Sequence, residues 1–195
     1  MVSLMTVSQL SLQLMLAGAF FIAAIVMDLY KEKIPNKLCL LAIFSGFAIN
    51  AYYAQLEGVL MAFFGFALAF IILFPTFLFR ILGAGDIKLM MGIGALMGPD
   101  LLVASLAYGI VAGAGTSLLL IIWKTGFSGL AKTLKRYWDC FYLRSYFKPE
   151  PGEAAGLRVP YAPALALGWL WACSLDSDIS ELYFNWHIYL GLGVT

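Results

Sequence analysis

Two aspartates stand where a carboxylate is costly. Asp28 closes an apolar run in AAIVMDLYKEKIPN, and Asp86 lies between glycines and a second apolar run in ILGAGDIKLM. An ionisable residue in such a segment points to function by default. Two carboxylates close enough to share a proton cannot both ionise, so one stays an acid while the other acts as a base on a water between them. That chemistry hydrolyses a peptide without a metal or a covalent nucleophile, and the pair titrates as a unit. Each acid also has a plainer explanation. Asp28 can pair with Lys31 at i,i+3 for about a few tenths of a kcal/mol, although a helix C-terminus disfavours an anion. Asp86 can be the N-cap of the helix that follows, with Lys88 pointing away from it at i,i+2.

The elements that must hold these acids are strongly apolar. The chain has 195 residues, 63% of them hydrophobic and 12% charged, with a mean hydropathy of +0.91; soluble domains run at roughly 45–50% and 25%. The expected class is an all-α polytopic membrane protein. Its length allows a single domain, 1–195, with about six transmembrane helices at roughly 20 residues each. Apolar segments run at 9–28, 37–55, 58–79, 86–98, 101–123 and 159–175, with a weaker stretch at 182–194 that is short for a span and expected to be interfacial or re-entrant. Turn signals separate them: Pro35-Asn36, Gly58, Gly83 with Gly85, Pro99-Asp100 and the stretch from Pro149 to Gly156. No Lys or Arg precedes Lys31, so the first segment lacks the basic flank of a cleaved signal peptide and is expected to remain as a helix.

Six crossings divide the charges by side. All 12 basic residues fall on one side, whereas Glu57, Asp100, Asp176, Asp178 and Glu181 fall on the other. The positive-inside rule makes the basic side cytoplasmic and both termini external. Asp28, ending the first span, and Asp86, opening the fourth, then share the cytoplasmic face. The fourth span is short, about 20 Å against a hydrocarbon core of about 30 Å, which sets Asp86 below that surface. In the loop at 124–158, Phe127, Leu130, Leu134, Tyr137, Trp138 and Phe141 recur at helical spacing, opposite Lys132, Lys135, Arg136 and Asp139. This pattern predicts an amphipathic helix, either interfacial on anionic lipid or packed on the bundle with a solvated face.

Glycines give the acids room to approach. Gly83 and Gly85 permit backbone conformations closed to other residues, and Gly94-x-x-x-Gly98 and Gly109-x-x-x-Gly113 are small-residue spacings suited to close helix packing. Other chemistries fit less well. His187 is the one histidine, far from both aspartates and beside Trp186 and Tyr189, which leaves a serine protease without its base and a metalloprotease without ligands. Cys39, Cys140 and Cys173 form no CxxC pair, so zinc ribbons and disulfide scaffolds are unsupported, and the thiols read as fillers. A net charge of +1 offers no sign of a nucleic-acid partner. A carboxylate-dependent transporter is the competing reading, but transporter sites lie near the midplane between repeated halves, and no repeat is evident here. A non-catalytic scaffold of a pilus or secretion machine leaves the acid pair unexplained.

Three segments, MDLYKEKIPN at 27–36, GAGDIKLMMGIGALMG at 83–98 and VPYAPALALG at 159–168, together resemble the prepilin peptidase family, the GxGD-type intramembrane aspartic endopeptidases that process type IV pilin precursors. The resemblance implies that Asp28 and Asp86 are the two catalytic aspartates. It implies that Pro35 and Asn36 form the turn after the first helix, that Gly83 and Gly85 frame the second aspartate, and that Pro160 and Pro163 belong to a final-helix motif packed around the site. Lys88 matches the lysine that follows GxGD; it either orients the site or snorkels to the interface. The paired CxxC motifs of the larger bifunctional members are missing, so the chain looks like the short, peptidase-only branch of tight-adherence (Flp) pilus systems, without N-methyltransferase activity.

The expected protein is a membrane aspartic endopeptidase that removes the leader of a prepilin or pseudopilin held in the bilayer as one helix, cleaving after a glycine at the cytoplasmic face. It requires no metal and no organic cofactor. The residue pattern leaves open which aspartate is acid and which is base.

Overall fold

The computed structural model describes residues 4–31, 33–79, 82–144, 148 and 160–182. Five helices follow in order: α1 (Leu4–Lys31), α2 (Asn36–Leu78), α3 (Ala84–Met97), α4 (Pro99–Leu143) and α5 (Ala162–Leu175). The described residues contain no strand. Three of the helices are long and apolar enough to cross a membrane, and the protein is an all-α polytopic membrane protein, as its composition predicts. Two compact units divide the chain, residues 1–110 with 160–195, and residues 111–159.

In the first unit, α2 is a hairpin of two helical arms. Ala54 and Gln55 depart from helical geometry, with Gln55 at φ 48°, and the rings of Phe47 and Phe66 lie 6.1 Å apart. On one straight helix those residues would be roughly 28 Å apart. The reversal therefore lies at Ala54–Gln55, not at Gly58, where the turn signal put it. Gly58 serves the hairpin differently: a Cβ there would collide with the Asn50 carbonyl, so only glycine lets the second arm pass the end of the first.

Both arms of α2 lie against α3. A Cβ on Gly46 would stand 2.8 Å from the Ala95 carbonyl carbon, and one on Gly65 would overlap the Gly94 carbonyl. Of the Gly94-x-x-x-Gly98 pair, Gly94 receives Gly65, and Gly98 caps α3 at φ 84°. Asn50, buried within the first arm, donates to the carbonyls of Gly46, Ala95 and Leu96 and accepts from Gln9 and Gln13 of α1. One amide thus joins α1, α2 and α3 where water is scarce and a lost partner is costly.

The first turns of α4 and the whole of α5 complete this unit. Gly168 meets the backbone of Gly109, while a Cβ on Gly18 would stand 3.6 Å from the Trp169 ring, whose centroid lies 5.3 Å from that of Phe21. Of Gly109-x-x-x-Gly113, Gly109 makes that close approach. Phe21, Leu89, Met90, Ile93, Leu96 and Leu102 are the largest fully buried apolar side chains. Ile22, Phe44, Phe64, Ile71 and Ile110 face outward, as lipid-facing side chains do.

The second unit contains the rest of α4, interrupted at Gly126 (φ 67°) where a second helical arm begins. On that arm Phe127, Leu134, Tyr137 and Trp138 are exposed, and so are Lys132 and Lys135. Arg136 departs from expectation. It is buried along with Thr133, and its guanidinium lies 4.7 Å over the Tyr137 ring. Gly129, Thr133 and Arg136, spaced at i, i+4 and i+7, make a third, inward stripe that a two-face reading misses. The 182–194 stretch, His187 and Arg158 lie outside the described residues, apart from Leu182, which is helical together with 177–181.

Candidate active site

Asp28 sits in the last turn of α1, partly buried. A carboxylate there faces the negative end of its own helix. The compensation comes from α5, which starts beside it: Ala162 donates its backbone N–H to Asp28 Oδ2 at 3.3 Å. Ala162 is the first residue of α5 after the N-cap Tyr161, and Pro163 follows within the first turn. Helix N-termini leave their first amides without internal partners and carry partial positive charge. Pro163 has no amide hydrogen, which leaves Ala162 as the leading donor. The Pro160–Pro163 motif, expected only to pack around the site, thus supplies a hydrogen bond to one of its acids, while the Pro160 and Pro163 side chains are half-buried.

Asp86 stands in the first turn of α3. Helix α3 begins at Ala84, two residues earlier than the apolar pattern indicates, with Gly83 as N-cap. Asp86 is therefore at the third helical position rather than the N-cap, and its Oδ2 accepts the Gly83 N–H at 3.2 Å. This is the return half of a capping box, which reads the same in sequence as a cap displaced by one turn. Its other oxygen, Oδ1, is buried without a hydrogen-bond partner among the described residues. The charge of Asp28 acts on Asp86, so the two acids brought together from α1 and α3 are electrostatic neighbours.

The surrounding residues fasten the turn after α1 to the start of α3. A Cβ on Gly85 would stand 3.0 Å from Ile34 Cβ and 3.4 Å from the Ile34 carbonyl, so this glycine lets the turn after α1 lie against the turn before Asp86. Gly83 is equally confined, with an added Cβ 3.1 Å from Asp86 Oδ2. Pro35 is the N-cap of α2, and its carbonyl accepts the amide of Leu38 at 3.1 Å. Lys88 Nζ donates to Asn36 Oδ1 at 3.0 Å, so the lysine is tied to the start of α2.

Two contributions escaped the sequence reading. Cys39 is buried, and its thiol points to the Gly85 carbonyl at 3.6 Å; nothing in its flanks distinguishes it from a filler. Asn50, Gln9 and Gln13 form the polar junction at the other end of α1 and α3, and their signal was available, since three amides in apolar spans need partners. Among the described residues, no group of three or more His, Cys, Asp or Glu side chains is arranged to hold a metal ion.

An all-α bundle of apolar helices that brings an acid of α1 near an acid of α3 defines a class, the polytopic membrane proteins with ionisable residues in their spans. The profile of the type IV leader peptidase family matches residues 15–118, just over half of the chain and including both aspartates. The chain belongs to that family and is a peptidase. Comparison with curated proteins and with solved structures gives no match.

Proposed function

We propose that the protein is an aspartic endopeptidase that cleaves the leader from prepilin or pseudopilin precursors, with Asp28 and Asp86 activating one water. The observation that carries this reading is that Asp28 of α1 and Asp86 of α3 are electrostatic neighbours, each accepting a backbone amide, with Asp86 Oδ1 left over. A water between them gives its proton to the ionised carboxylate while the protonated one donates to the scissile carbonyl or the leaving amide. Amides held at Asp28 and Asp86 orient the carboxylates without consuming both oxygens of either.

The substrate in this proposal is a single apolar helix entering from the bilayer, with its basic leader in the cytoplasm. The side is supported by the basic residues around the site, Lys31, Lys33, Lys37 and Lys88, through the positive-inside rule. The protein lies in the cytoplasmic membrane with both termini outside. The exposed aromatic face and lysines of the arm after Gly126 serve as an interfacial contact with anionic lipid. Without paired CxxC motifs, the enzyme releases a leader and leaves the new N-terminus unmethylated.

The test is co-expression with a prepilin precursor, comparing the wild type with Asp28→Asn and Asp86→Asn. Leader loss with the wild type alone is the expected result. Processing by either correctly inserted variant sinks the reading.

A further inference from the structure

The face holding the acids contains a second constructed feature, the Lys88–Asn36 bond. Resting on the aspartic-peptidase reading, we infer that Lys88 and Asn36 act as one positioning unit that sets the height of Asp28 against Asp86, and that Lys88 does not act as a cation toward the substrate.

Lys88 follows Asp86 by two residues on α3, which points the two side chains apart on a helix. Its ammonium instead reaches Asn36, the first residue of α2, at 3.0 Å. Asn36 follows directly on Ile34 and Pro35, the turn that brings the chain out of the Asp28 helix. Three contacts fasten this turn to the start of α3. Ile34 lies in van der Waals contact with Gly85, the Cys39 thiol points to the Gly85 carbonyl, and Lys88 holds Asn36. The first is non-directional and the second a weak donor, so Lys88–Asn36 is the one strong, directed bond of the three. Without it the turn slides on Gly85, and Asp28 moves with the end of α1. A misplacement of about 1 Å costs a reaction of this kind up to about a hundredfold.

Two other roles suit an exposed lysine: contact with the substrate, or snorkelling to the membrane surface. In both, Asn36 is irrelevant. The experiment therefore turns on Asn36. Full-length protein in phosphatidylglycerol-containing vesicles is assayed on a prepilin precursor as wild type, Asn36→Leu, Lys88→Met, the double variant and Asn36→Asp. Expected are kcat losses of about ten- to a hundredfold in both single variants with KM within about twofold. The double variant is no worse than either single one, and Asn36→Asp, which keeps the acceptor, recovers most of the loss.

A second readout does not depend on peptidase activity. Cys39, three residues after Asn36 and against the Gly85 carbonyl, is 1% exposed. With Cys140→Ser and Cys173→Ser in place, its alkylation by N-ethylmaleimide is slow in the parent and in Asn36→Asp, and fast in Asn36→Leu and Lys88→Met, also when Asp86→Asn has removed catalysis. Wild-type kinetics in Asn36→Leu, additive losses, or unchanged Cys39 alkylation overturn the inference. If the parent cleaves no precursor while the alkylation pattern holds, the peptidase reading fails and the positioning unit stands.

Discussion

The backbone amide of Ala162 donates to Asp28 Oδ2 at 3.3 Å, joining residues 134 apart in the chain. The contact brings the positive end of α5 to the negative end of α1, where an unaided carboxylate is disfavoured. An acid on the last turn of a helix is held in place by the first turn of another.

Replacing the Ala162 amide with an ester, by incorporating the α-hydroxy acid at that position, removes this donor and leaves every side chain intact. Hydrogen bonds to charged groups contribute about 1.5–3 kcal/mol. Leader cleavage is expected to fall by about ten- to a hundredfold, and stability against unfolding in detergent to fall on that same scale. A cleavage rate equal to the parent's shows that the amide plays no part in orienting Asp28.

Asp86 has a structural duty that separates from its chemical one. Its Oδ2 accepts the Gly83 amide, the return half of a capping box, and Asp86→Leu removes that acceptor at a cost of about 1 kcal/mol. Asp86→Asn keeps an oxygen for the same amide and is expected to stay within about 0.5 kcal/mol of the parent by the same account. Both lose cleavage, and denaturant titration in micelles tells them apart.

Asn50→Leu leaves the Ala95 and Leu96 carbonyls and the Gln9 and Gln13 amides without their partner. Interhelical polar contacts in membranes are worth about 0.6–1.7 kcal/mol each, so a loss of about 2–4 kcal/mol is expected. Gln13→Leu removes one of these bonds and should cost about 1 kcal/mol on the same scale. Equal stability of the two variants in unfolding measurements contradicts the placement of Asn50 at the centre.

Glycines that look alike in sequence are expected to respond oppositely. A Cβ on Gly65 overlaps the Gly94 backbone, whereas one on Gly115 meets nothing within 4 Å. Gly65→Ala should destabilise by about 3 kcal/mol, at the upper end for overpacking. Gly115→Ala should be neutral or stabilising by up to about 1 kcal/mol, since alanine is the better helix former. Thermal unfolding of the two variants in one detergent tests the contrast.

Much of this protein is legible along the chain. Apolar runs of spanning length set the helical class, because a bilayer leaves few alternatives for an unpartnered backbone. Asp28 and Asp86 stand out because charge in such a run is costly, and the glycines at 83 and 85 mark the turn before the second acid. The errors are local ones of position. Helix α3 starts two residues early because Asp86 caps from the third position, and the α2 reversal falls on Ala54–Gln55 because Gly58 is needed for close passage. Arg136 turns inward because a helix presents three faces to its surroundings, and a two-face pattern resolves only the contrast between apolar and charged residues.

What the sequence by itself determined is therefore the class of structure, and it singled out the two acids as candidates, since both follow from the cost of polar groups in hydrocarbon, which acts residue by residue. Only the tertiary structure decided what holds those acids. The amide of Ala162 on Asp28, the Lys88 bond to Asn36 and the Asn50 junction each join segments between 37 and 134 residues apart. Such partners are chosen by how helices pack in three dimensions, and the spacing of residues along one helix holds no record of which neighbour it will meet.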